Sequence, residues 1–104
     1  MKRRMISHLI VPNNTYTYQD FDRHFQKMYE TGKTINLIIY LEKDFNPLKI
    51  NLFLLMFVLE KHRKNMLKYL KNTYIYFERR EIFDYMESFF NMIKPQRPIE
   101  VFSC

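Results

Sequence analysis

Apolar positions along the chain follow two alternating rhythms. Short runs of consecutive or β-branched apolar residues predict strands, and longer segments with apolar residues every three or four positions predict helices. Residues 5–11 (Met-Ile-Ser-His-Leu-Ile-Val) form the first strand, stopped by Pro12, Asn13 and Asn14. Thr15 or Thr17 then caps a helix running to about Glu30, with Phe21, Phe25, Met28 and Tyr29 on one stripe. Gly32, the single glycine, stands where a helix C-cap needs a left-handed residue. The second strand, residues 35–41, is apolar at nearly every position, as expected of a strand covered on both faces. A polar loop, 42–46, leads to Asn46 as cap and Pro47 as first residue of a long helix, 48–70. A third strand over 74–77, a helix over 81–93, a breaker at 94–98 and a last strand over 99–102 complete the pattern. Pro98 at the start of that strand suits an edge position. The order is (βα)3β. It predicts a single small α/β domain spanning residues 1–104, with a four-stranded, mainly parallel sheet, right-handed crossovers and three helices on its faces.

The long helix has two halves of different character. Leu48, Leu52, Leu55, Leu59, Met66 and Leu70 trace a stripe toward the core, while Phe53, Leu54, Met56, Phe57 and Val58 make the first half apolar around most of its circumference. Either neighbouring helices cover this surplus, or it is a surface for a protein partner or a second copy, centred on Phe53, Met56, Phe57 and the loop residues Asp44, Phe45 and Asn46. The second half is basic: Lys61, His62, Arg63, Lys64, Lys68 and, just beyond, Lys71. Cations at a helix C-terminus complement its dipole, so a solvated basic face is one reading. The other is an electrostatic nucleic-acid surface using Lys61, Arg63, Lys64, Lys68 and Lys71.

The apolar strand, polar loop and long helix, followed by Asn72-Thr73-Tyr74-Ile75-Tyr76-Phe77, a short helix and Arg97-Pro98-Ile99-Glu100-Val101-Phe102, resemble a STAS-type domain in element order and hydrophobic pattern. That is the fold of anti-sigma-factor antagonists. The resemblance spans nearly the whole chain, but the family's extra N-terminal strand has no clear counterpart. It implies a regulatory protein-interaction module. In that family the loop after the central strand carries an Asp-Ser-Ser-like motif whose hydroxyl is phosphorylated. Asp44 stands at the motif's aspartate, but Phe45, Asn46 and Pro47 follow, with no serine or threonine before residue 71. The resemblance therefore implies the fold without its phosphoswitch.

Composition narrows the remaining classes. Among 104 residues, 47% are hydrophobic and 17% aromatic, which provides a packed core in one domain. The absence of alanine, with Lys, Asn, Ile, Tyr and Phe in abundance, marks an AT-rich coding bias. The net charge of +6 favours anionic partners or simple solubility. The longest apolar run, residues 52–59, falls short of the roughly 20 residues of a membrane span. The start of the chain does not build a signal peptide, and one cysteine, Cys104, permits no internal disulfide. These features predict a protein of the cytoplasm or another reducing compartment. No metal-ligand spacing or glycine-rich phosphate loop is present, and His8, His24 and His62 show no spacing that builds a catalytic set. The chain is accordingly expected to be non-catalytic and to need no cofactor.

Overall fold

A computed structural model of the chain describes residues 5–46, 51–93 and 98–103. The basic residues Lys2, Arg3 and Arg4, the expected first helical residue Pro47, Leu48 of the predicted stripe, residues 94–97 of the 94–98 breaker and Cys104 lie outside them.

Four strands, β1 (Met5–Ile10), β2 (Thr34–Leu41), β3 (Leu70–Phe77) and β4 (Ile99–Ser103), form one sheet in the order β1-β2-β3-β4. Every pairing is parallel. The helices are α1 (Tyr18–Glu30), α2 (Leu52–Lys61), α3 (Arg63–Tyr69) and α4 (Arg80–Ile93). The predicted α/β class and parallel sheet hold, with one helix more than expected.

When spatial order follows chain order and crossovers are right-handed, every crossover helix lands on the same side of the sheet. Burial agrees with that geometry. Ile10, Ile35, Leu37, Leu41, Ile75 and Phe77 are in the core, and the register aligns them across the strands: Ile10 with Ile39, Ile39 with Ile75, Leu41 with Phe77. The alternate positions, Leu9, Ile38 and Tyr74 in one row and Tyr40, Tyr76 and Phe102 in the next, share the opposite face. None of these six is buried. The expectation that β2 is covered on both faces, and that helices flank the sheet on both sides, is therefore corrected. The apolar character of residues 35–41 serves a one-sided core plus a half-covered outer face rich in tyrosine.

Helix α1 begins with the Asp20 carboxylate accepting the Thr17 backbone N–H at 2.7 Å. It ends at Gly32, whose φ of +67° and N–H to the Tyr29 carbonyl turn the chain into β2. Its predicted stripe, Phe21, Phe25, Met28 and Tyr29, is buried as expected. The predicted helix over 48–70 differs in three ways. Its described start is Leu52, with Asn51 as cap and the Asn51 side chain accepting the Leu54 N–H at 3.2 Å. Residues 47–50, against which Asn46 is expected to act as cap, lie outside the described residues; the Asn46 backbone N–H donates to the Asn14 side chain. The helix breaks at His62, where φ −96° and ψ 8° end α2 and start α3. It also stops at Tyr69, because Leu70 turns extended to pair with Ile35. The strand is thus longer than residues 74–77, and Lys71 lies on it at a register shift, not on a helix.

Gly32 offers a clean test of the α1–β2 turn. A Cβ there meets nothing within 4 Å, so only the left-handed backbone opposes a side chain. Gly32→Ala should cost about 1 kcal/mol in denaturant unfolding, with Gly32→Asn costing less.

Candidate functional site

The expected partner surface is partly assembled. Along α2, Val58 is buried, and Leu55 and Leu59 pack against the core, which turns the Phe53–Phe57 stripe outward. Phe53 is 77% exposed and Phe57 71%. At a spacing of four residues their rings are neighbours on the helix surface. Met56 is half-buried beside them. The loop residues behave differently. Asp44 is exposed, and its carbonyl accepts the Asn14 side-chain amide at 2.8 Å. Asn46 is half-buried and held by the same Asn14 at 2.7 Å. Phe45, expected on the surface, is instead in the core at 4% exposure. A turn with the Phe45 N–H on the Glu42 carbonyl accompanies this inward placement. The open part of the expected site is therefore Phe53 and Phe57, with Asp44 exposed on a separate, pinned loop.

The five basic residues expected to bind nucleic acid fall on three elements. Lys61 closes α2 with its Nζ 3.0 Å from Asp22, and Arg63 lies 3.6 Å from Glu60. Lys64 and Lys68 are exposed on α3, where Lys68 leans toward the Tyr69 ring, and Lys71 is exposed on β3. Lys61 and Arg63 thus have acidic partners, and the break at His62 removes the continuous helical face that would have aligned the five.

Two histidine clusters escaped the sequence reading because their members come from distant segments. His62 is buried, its ring between Phe25 at 5.8 Å and Tyr29 at 5.9 Å, and its Nε2 is 2.6 Å from the Asp22 carboxylate. Hydrogen bonds from His62 and Lys61 hold the Asp22 carboxyl below the usual carboxylate range. The pair ties the α2–α3 break to α1. The second cluster joins β1 to the start of α1: His8 Nε2 faces His24 Nδ1 at 3.4 Å, and His24 stacks on Tyr16 at 5.7 Å. Burial first, and then the neighbouring His24, lower the His8 pKa below its ordinary value. Burial raises that of Tyr16, whose hydroxyl is enclosed without a hydrogen-bond partner. Among the described residues, no group of three or more His, Cys, Asp or Glu side chains is placed to hold a metal ion. No described helix is long and apolar enough to cross a membrane.

Comparison with protein-family models, with curated proteins and with solved structures found no match for the chain.

The clusters generate two predictions. Asp22→Asn should lower the melting temperature at neutral pH. Because the folded Asp22 pKa is depressed, its stabilisation is present above the ordinary carboxylate pKa of about 3.9 and fades as pH falls through the lower folded value. The difference between wild type and variant should therefore shrink in acid melts. Tyr16→Phe should leave stability unchanged or raise it by up to about 1 kcal/mol, since it removes a buried hydroxyl that lacks a partner. A loss of several degrees in melting temperature would contradict that reading.

Proposed function

We propose that the chain is a non-catalytic, regulatory protein-interaction module, resembling a STAS-type domain without its phosphorylatable residue. It binds a protein partner through the outer stripe of α2. The observation that carries this reading is the Phe53–Phe57 pair, more than two-thirds exposed on a helix whose opposite side is packed against the core. Leaving two phenylalanine rings in water forgoes roughly 1.5–3 kcal/mol for each, which a partner groove restores on binding. Two aromatic anchors four residues apart on a pre-formed helix are what a groove-bearing partner reads, without an ordering cost for the helix.

A photo-crosslinking residue placed at Phe53 or Phe57 in cells tests the surface, with the same residue at exposed Lys64 as control. Positions 53 and 57 should give a common protein adduct absent from position 64. The purified partner should then bind the Phe53→Ser/Phe57→Ser variant at least about tenfold more weakly. The melting temperature of that variant should be unchanged or higher, because neither ring is part of the core. Adducts of equal yield at all three positions, or none at 53 and 57, would contradict the proposal.

A further inference from the structure

His8 and His24 bring two metal-ligating side chains together where β1 faces α1. His8 shares its side of β1 with Ile6 and Ile10, opposite the exposed Ser7 and Leu9. It pairs in register with core Leu37, so it faces the helical layer. His24 stands on α1 between exposed Arg23 and buried Phe25. Both imidazoles are half-buried. Strand β1 comes first in the sheet order and pairs only with β2 among the described residues. The histidines therefore lie at the rim of the two layers, within reach of solvent. A depression lined by Asp20, Arg23, His24 and Lys27 opens beside them.

The nitrogens that meet, His8 Nε2 and His24 Nδ1, are 3.4 Å apart, and the ring centroids are 5.6 Å apart. With nitrogens so much closer than centroids, each ring points its nitrogen at the other. A single proton could bridge them, but 3.4 Å is long for that, since N–H donors lie about 2.9–3.0 Å from their acceptors. The distance fits a shared ion better. Two nitrogens each about 2.1 Å from one tetrahedral Zn²⁺ are themselves about 3.4 Å apart. The rings thus stand at ligand separation already, and a tilt of each brings its lone pair onto the ion. Imidazole suits Zn²⁺, whereas Ca²⁺ and Mg²⁺ take oxygen ligands. The Tyr16 ring stacks on His24 at 5.7 Å and fixes its plane, as outer-shell partners of metal ligands do. Arg23 is ion-paired with Asp20, which compensates the charge nearest the site. No third His, Cys, Asp or Glu joins the pair among the described residues. Water completes the coordination, which makes the site open, exchangeable and weaker than a structural zinc centre.

We infer that His8 and His24 form a binding site for Zn²⁺, which clasps edge strand β1 to α1 with water as the remaining ligands. The site is independent of the helical surface assigned above to a partner.

Isothermal titration calorimetry with zinc chloride tests it, on the purified, tag-free chain in a Cys104→Ser background. One ion should bind per chain with micromolar affinity, and Mg²⁺ in excess should not displace it. His8→Gln and His24→Gln should each weaken binding by about tenfold or more, since each removes one of the two protein ligands. Imidazole nitrogen NMR on the Cys104→Ser chain gives a reading that does not depend on how those variants fold. Zn²⁺ should shift the His8 and His24 ring nitrogens and leave those of His62 in place. No binding at millimolar Zn²⁺ would overturn the inference. So would equal affinity in the parent and both variants, or shifts confined to His62.

Discussion

Strand order is the constraint from which the rest of the molecule follows. A parallel sheet running β1-β2-β3-β4 with right-handed crossovers places every helix on one side, because each crossover repeats the same turn. Doubly wound sheets reverse direction partway and gain a second helical layer; this one does not. Each strand therefore needs one apolar row for the core and a second row that tolerates water. Tyrosine and asparagine supply the second row: Asn36 and Tyr40 on β2, Asn72, Tyr74 and Tyr76 on β3. A single layer of helices also limits what α2 can cover: among the described residues, the helices it packs on are α1 and α3. The two apolar surfaces thus share one origin, a two-layer architecture in a chain with apolar residues for more.

Helix α1 is the tie between layers. Its buried stripe sits in the core, Asp22 reaches His62 and Lys61 of the α2–α3 junction, and His24 reaches His8 on β1. The loops at the carboxyl ends of the strands are joined by Asn14, which holds the 44–46 loop from both its amide and its carbonyl.

Much of this was legible in the sequence. Period and punctuation located four strands and the helices between them, and Gly32 marked the end of α1. The surplus of apolar residues on α2 pointed to Phe53 and Phe57, which are exposed. Three features were not legible, each for a physical reason. The break at His62 coincides with a contact to Asp22, forty residues away, and helical periodicity carries no trace of such a contact. Phe45 looked like an exposed loop residue because burial of a loop side chain is decided by the fold of the turn around it. The open sheet face was hidden because residues 35–41 carry apolar side chains at both alternations, and the same pattern serves a sheet covered twice. Tyrosine at Tyr40, Tyr74 and Tyr76 was the available signal, since its hydroxyl suits a face that keeps contact with water.

One-sided burial of the sheet is the central claim, and thiol accessibility measures it directly. In a Cys104→Ser background, single cysteines at Leu9 and Phe102 report the outer face, and those at Ile10 and Ile75 report the side beneath the helices. In dilute monomer, Leu9→Cys and Phe102→Cys should react at nearly the rate of a free thiol, with Ile10→Cys and Ile75→Cys protected until the chain opens. Protection of all four positions in the monomer would contradict the one-sided arrangement, because it would mean that the chain itself covers both faces of the sheet.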